Sequence, residues 1–125
     1  MDEAITQRTI LVVEDEVLIR MSTVATLEDA GYCVLEAQDS REALQILSRH
    51  GKVSILVTDV RMGGPMDGLA LVAQVRLDHP AIRAIVVSGT TSATEAIDAG
   101  ALGFLTKPYM AQTLVQAVHD TVLRH

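Results

Sequence analysis

Apolar runs of four or five residues alternate with amphipathic stretches along this chain, five of each, which is the pattern of βαβ units. Strand one is expected near Thr9–Val13 and strand two near Cys33–Ala37. Strand three is read at Ile55–Thr58, strand four at Ala84–Val87 and strand five near Gly103–Leu105. Helix one should run from Glu16 to Ala30, with Val17, Met21, Val24 and Leu27 on one face and Gly31 as its stop. Helix two should cover Ser40–His50, with Ser40 as N-cap and Ala43, Leu44 and Leu47 turned inward. Helix three begins after Gly68, carries Leu69, Val72 and Val75, and stops at Asp78-His79-Pro80. A weak, Ala- and Thr-rich helix four is expected over Ser92–Ala99, and helix five over Ala111–Arg124 with Leu114, Val118 and Val122 at helical spacing. Strict alternation of this kind implies α/β architecture: a five-stranded parallel sheet with helices on both faces. Crossovers in such sheets are right-handed, and ligands bind beyond the carboxyl ends of the strands.

A chain of 125 residues suits one domain, with 1–8 a polar lead-in and 9–125 the folded unit. Its composition is 49% apolar, yet Tyr32, Phe104 and Tyr109 are its only aromatics, so the core should be aliphatic. No apolar run approaches the roughly 20 residues of a membrane helix. The opening Met1-Asp2-Glu3-Ala4 lacks the basic and apolar regions of a secretory signal. The single cysteine, Cys33, cannot close an internal disulfide, which points to a reducing, cytoplasmic setting. Cys33 itself is expected in the core. A net charge of −6 without any basic cluster weighs against direct binding of nucleic acid.

Four of the apolar runs end in chemistry. Glu14-Asp15 follow Ile10–Val13, Asp59 follows Ile55–Thr58, Ser88 follows Ala84–Val87, and Lys107 follows Phe104-Leu105-Thr106. Singly, each is ambiguous: an acidic pair suits a helix start, and Asp or Ser-Gly suits a turn. Together, at neighbouring strand ends, three carboxylates repel one another unless a cation intervenes. Mg²⁺ takes oxygen ligands, commonly one or two carboxylates plus a phosphate oxygen. Lys107 can neutralise part of the cluster and hold a phosphoryl oxygen as a point charge. Ser88 can donate to another, with Gly89 allowing close backbone approach. Pro108 fixes the following turn, and Lys107-Pro108 is a candidate cis peptide bond.

The ordered set Glu14-Asp15, Asp59, Met66-Asp67-Gly68, Ser88 and Lys107-Pro108 resembles a response-regulator receiver domain of two-component signalling, over nearly the whole chain from Thr9 to Arg124. The resemblance is to the single-domain, chemotaxis-regulator-like form. It implies the flavodoxin-like strand order 2-1-3-4-5. It implies that Asp59 is the phosphoacceptor, receiving a phosphoryl group from a sensor histidine kinase or histidine phosphotransfer protein. Mg²⁺ would be held by Asp15, Asp59 and the backbone carbonyl of Arg61, with Glu14 acting through water. Lys107 and Ser88 would bind the phosphoryl oxygens. Ser88 and Phe104 would form the switch, with helix four, strand five and helix five as the surface read by a downstream protein partner or a phosphorylation-dependent dimer. Such a domain is not an enzyme beyond its own phosphorylation and autodephosphorylation.

Two departures from the family pattern stand out. After Asp59 the text is Val60-Arg61-Met62-Gly63-Gly64-Pro65, a loop one residue longer, with a Gly pair and a displaced Pro. The stretch from Ser88 to Lys107 is shorter than the family norm by about one helical turn. Two other functions are compatible with parts of the pattern. One is a Mg²⁺-dependent aspartyl phosphatase or phosphotransferase, which usually has a second acid two positions after the nucleophile, where Arg61 stands. The other is a pseudo-receiver that only binds a partner. His50, His79, His119 and His125 match no strand-end position, and none is assigned a metal or phosphocarrier role.

Overall fold

Val, Ile and Leu fill the strand segments because branched side chains suit a surface buried on both faces. The computed structural model describes residues 8–123, so most of the 1–8 lead-in, Arg124 and His125 lie outside the described residues. The elements alternate as β1 (Thr9–Val13), α1 (Val17–Asp29), β2 (Cys33–Ala37), α2 (Ser40–Arg49), β3 (Val53–Asp59), α3 (Gly68–Asp78), β4 (Arg83–Ser88), α4 (Ala93–Ala99), β5 (Gly103–Thr106) and α5 (Ala111–Leu123). All strand pairs are parallel, in the order β2-β1-β3-β4-β5.

Alternate strand residues feed two cores. Ile10, Val12, Ile55, Val57, Ile85, Val87 and Leu105 pack with Leu27 of α1 and Leu114, Val118 and Val122 of α5. Leu11, Val13, Leu56, Ala84 and Val86 pack on the other face with residues of α2, α3 and α4. The register aligns the strand ends. Val13 pairs with Thr58, Asp59 with Val87, and Ser88 with Thr106. Glu14, Asp59, Ser88 and Lys107 therefore emerge within two residues of one level on the carboxyl rim.

Local expectations needed correction at several positions. In α1, Val24 and Leu27 are buried, but Val17 and Met21 are 55% and 59% exposed. Thr23 is buried in their place and Ile19 and Arg20 are half-buried, so the inner face is turned toward Arg20 and Thr23 and away from Val17 and Met21. Ser40 is not the cap of α2. Asp39 is, its Oδ1 accepting from the Glu42 N–H at 2.9 Å, while Ser40 is buried in the first turn. Cys33 is exposed because it starts the edge strand β2, where only Ala37 is buried. Strands β3 and β4 each reach one residue further than expected, taking in Asp59 and Ser88. Gly31 ends α1 at φ 102°, as a left-handed stop requires.

Gly68 decides how α3 meets the sheet. Its N–H donates to the Val60 carbonyl at 2.8 Å. A Cβ there would overlap the Asp59 carbonyl oxygen and stand 2.9 Å from Val60 Cα. The helix start and the end of β3 are in contact with no room for a side chain, which fixes the backbone that carries Asp59. Asp67 caps the same helix through the Ala70 N–H at 2.8 Å.

Candidate functional site

Glu14, Asp59 and Ser88 stand at the ends of the buried strands β1, β3 and β4, and Lys107 follows the edge strand β5, so the sheet itself fixes their positions. Glu14 and Asp59 are buried, 5% and 8% exposed, while Asp15 faces solvent. Lys107 Nζ reaches across from the end of β5. It donates to Asp59 Oδ2 at 2.8 Å and to Glu14 Oε2 at 3.3 Å. Asp59 Oδ1 accepts from its neighbour's N–H, Val60, at 2.7 Å, so both carboxylate oxygens are held. Glu14 Oε1 accepts from the Glu16 N–H at 3.3 Å, and Asp15 Oδ2 from the Gly63 N–H at 3.3 Å. Glu14, Asp15 and Asp59 each offer a carboxylate oxygen, all three within 4.8 Å of one another. An all-oxygen, anionic donor set open on its Asp15 side fits a hard divalent cation such as Mg²⁺.

The electrostatics follow from two buried acids sharing one lysine. Burial pushes the Glu14 carboxyl up from 4.5 to about 7, with the Asp59 carboxylate adding to the rise. Lys107 and the Glu16 N–H pull it the other way. Burial alone would pull Lys107 down, yet its hydrogen bond and charge contact with Asp59, helped by Glu14, hold it above its ordinary value. The ammonium therefore stays charged at neutral pH.

Glu14 makes the metal-free protein pH-sensitive. Its folded value lies above its unfolded one, so the stability it contributes is whole below about pH 4.5 and lost as the pH passes about 7. Relative to Glu14→Gln, which mimics the protonated acid, wild-type protein in chelator should lose on the order of 2 kcal/mol, roughly 6–10 °C in Tm, between mildly acidic and mildly alkaline buffer. Thermal melts of both proteins across that range check it. A gap independent of pH would refute the account, and adding Mg²⁺ at alkaline pH should restore the wild type alone.

Ser88 is buried at the end of β4, and its Oγ accepts from the N–H groups of Thr90 and Thr91 at 3.1 and 2.9 Å. That use of its lone pairs leaves its own hydrogen to donate. The Lys107 N–H donates to the Ser88 carbonyl at 3.0 Å, joining the two strand ends, and Lys107-Pro108 is a cis peptide bond. Phe104 is half-buried against the core on the α2, α3 and α4 side. The Arg61 side chain is exposed and makes no salt bridge among the described residues. His50, His79 and His119 lie away from the rim, and His125 lies outside the described residues.

Several contributors were not read from the sequence. The extra-long loop returns to the site through the Gly63 N–H on Asp15. The Tyr109 hydroxyl is 3.0 Å from Thr23 Oγ1, tying the segment after Lys107 to α1. Arg20 donates to the Glu14 backbone carbonyl at 2.7 Å. Backbone donors and acceptors carry no sequence signal; only the i, i+6 spacing of Glu14 and Arg20 across a helix start could have hinted at the last of these.

A doubly wound parallel sheet in the order 2-1-3-4-5, with an acidic notch on its carboxyl rim, places the protein among the flavodoxin-like α/β domains. The profile of the response regulator receiver domain matches residues 10–119, and the chain belongs to that family of two-component signalling modules. It is 40% identical over 116 residues to the sensor kinase CckA of Brucella abortus, covering 90% of this chain and 12% of that protein. It is 32% identical over 125 residues to the transcriptional regulatory protein PdtaR of Mycobacterium tuberculosis, covering 98% of this chain and 60% of the relative. The chain thus spans less than two thirds of the length of these curated relatives. Among solved structures, the chemotaxis response regulator CheY4 of Vibrio cholerae matches with a TM-score of 0.85 at 32% identity, covering 94% of this chain and 99% of that one. No helix among the described residues is long and apolar enough to cross a membrane.

Proposed function

We propose that Asp59 accepts a phosphoryl group from a histidine kinase or histidine phosphotransfer protein, with Mg²⁺ bound in the notch, and that the acyl phosphate alters the surface a partner reads. The observation that carries this is Asp59 itself: a buried carboxylate with one oxygen on a backbone N–H and the other on Lys107, beside two further acids. In transfer, an Asp59 oxygen attacks phosphorus as the phosphorus–nitrogen bond of the donor imidazole breaks. The bonding pair leaves with the imidazole nitrogen, and the product is an aspartyl phosphate. Mg²⁺ would be held by Asp15, Asp59 and the Arg61 carbonyl, with Glu14 acting through water, and would supply charge neutralisation to the phosphoryl oxygens. Lys107 passes from the carboxylate to a phosphoryl oxygen, and Ser88 donates its hydrogen to another. Alignment and charge stabilisation are nearly all that phosphoryl transfer asks of a protein.

The same hydroxyl offers a route outward. Because Ser88 Oγ also holds the Thr90 and Thr91 N–H groups, its movement draws the loop that leads to α4. That helix buries only Ala96, so a small free-energy input can shift it. Phe104 on the neighbouring strand then follows Ser88. A groove of about 560 Å³ beside the notch, lined by Leu18, Thr23, Lys107, Pro108, Tyr109 and Leu114, gives a protein donor an apolar seat. Residues 9–125 form the receiver unit.

Incubation with acetyl phosphate or phosphoramidate and Mg²⁺ should add one phosphoryl mass to the wild type and none to Asp59→Asn. Equal labelling of the two proteins sinks the proposal. Steady release of phosphate from simple phosphoesters would instead favour an aspartyl phosphatase.

A further inference from the structure

Both backbone polar groups of Glu14 are tied to β2, the N–H directly and the carbonyl through Arg20. Its N–H donates to the Ala37 carbonyl at 3.1 Å. Its carbonyl accepts from Arg20 Nη1 at 2.7 Å, and Arg20 Nε donates to Glu36 Oε1 at 3.0 Å. Glu36 is the residue before Ala37, so Arg20 returns the Glu14 carbonyl to the same stretch of β2. The Arg20 side chain is 15% exposed and Glu36 52%. The planar guanidinium sets its Nε and Nη1 donors at a fixed angle, so the two acceptors are held more rigidly than by the freely rotating donors of an ammonium. With N–H and carbonyl both held, Glu14 and the residue after it leave the strand in one direction.

We infer that Arg20, braced by Glu36, is a positioning residue for the acidic pair: it fixes the backbone at Glu14 so that the Glu14 and Asp15 carboxylates converge with Asp59. The inference rests on the phosphoacceptor reading of the notch. It deepens that reading by naming a determinant of cation affinity that touches neither the ion nor the phosphoryl group. Outer groups that orient metal ligands are typically worth about 10–100-fold in metal affinity.

The sign of the effect separates positioning from plain electrostatics. Arg20 is a cation held on the backbone of Glu14, the residue that carries one of the three carboxylates. If its charge were what mattered, its removal would tighten Mg²⁺ binding. If it positions, removal weakens binding. Arg20→Gln, too short to reach both acceptors, should weaken Mg²⁺ about tenfold by calorimetry or by competition with Mn²⁺ in electron paramagnetic resonance. Arg20→Lys keeps the charge and one bond and should fall between it and the wild type. Glu36→Gln keeps an acceptor oxygen and should bind nearly as the wild type does. The Lys variant also carries the test should the Gln variant fold poorly.

A metal-free readout accompanies these titrations. The Glu16 and Gly63 N–H groups donate to Glu14 Oε1 and Asp15 Oδ2, so their amide resonances report where the two carboxylates lie. Both should shift in Arg20→Gln in chelator, while amides of α3 and α5 stay in place. Unchanged resonances with unchanged Mg²⁺ affinity, or tighter Mg²⁺ binding in Arg20→Gln, overturn the inference. Wild-type protein that does not bind Mg²⁺ at all refutes the phosphoacceptor reading, and the metal-free resonances then still decide whether Arg20 holds the pair: shifted supports it, unshifted overturns it.

Discussion

Gly68→Ala is expected to destabilise the protein by about 3 kcal/mol or more and to slow phosphorylation of whatever folded fraction remains. The added methyl meets backbone, not a side chain that can rotate away. It overlaps the Asp59 carbonyl oxygen and lies 2.8 Å from the Asp59 carbonyl carbon. Relief requires α3 to back away from β3, which breaks the 2.8 Å bond from the Gly68 N–H to the Val60 carbonyl and shifts the residue proposed to be phosphorylated. Gly63→Ala is the matched control. It has nothing within 4 Å of the new methyl and an ordinary φ, and it keeps the N–H that reaches Asp15. Its cost should stay within about 0.5 kcal/mol. Urea unfolding of the two variants measures the contrast. Equal, small losses in both would show that the α3 start adapts, and the close contact would then not be what seats Asp59.

These two glycines also show what sequence reading can and cannot reach. Gly63 lies in the loop after Asp59 and Gly68 begins α3, and composition does not distinguish them; only the distance to β3 does. The alternation of runs was enough to give the fold class, because branched apolar residues in stretches of five have few other uses in a chain with amphipathic segments between them. The strand order needed the resemblance, since periodicity says nothing about which strand is central. Helical spacing found Val24 and Leu27 on the inner face of α1, but it did not show that this face turns toward Arg20 and Thr23 and leaves Val17 and Met21 in solvent. Asp39 and Ser40 are both good caps, and a one-residue choice between them is settled only by which oxygen meets the Glu42 N–H. In the site, the three acids and Lys107 were visible because each stands within two residues of the end of an apolar run. Arg20 and Glu36 were not, because their target is a backbone carbonyl and their pairing spans α1 and β2.

Lys107→Met should move metal binding and phosphoryl transfer in opposite directions. The ammonium donates to both Asp59 and Glu14, so it competes with a cation for two of the three carboxylates. Removing it frees those oxygens, and Mg²⁺ affinity should rise roughly 5–10-fold, the effect of deleting one neighbouring like charge in a partly solvated site. Phosphorylation by a small-molecule donor should nevertheless fall, by about 100-fold or more, because a charge aimed at the phosphoryl oxygens is gone. Stability follows the protons. Lys107 is the stronger of the two influences that lower the Glu14 value, so without it Glu14 rises further and the loss of stability with increasing pH extends to higher pH. The variant should therefore lie about 2 kcal/mol below the wild type in alkaline chelator and close to it in mildly acidic buffer. Adding Glu14→Gln should recover much of the alkaline deficit, since one buried carboxylate is then neutral and the other faces no like charge from it. Calorimetric Mg²⁺ titration, donor-driven phosphorylation rates and melts at two pH values test each part. If affinity and phosphorylation rate fall together in Lys107→Met, the lysine organises the notch as a whole, and the division of labour between ammonium and metal is wrong.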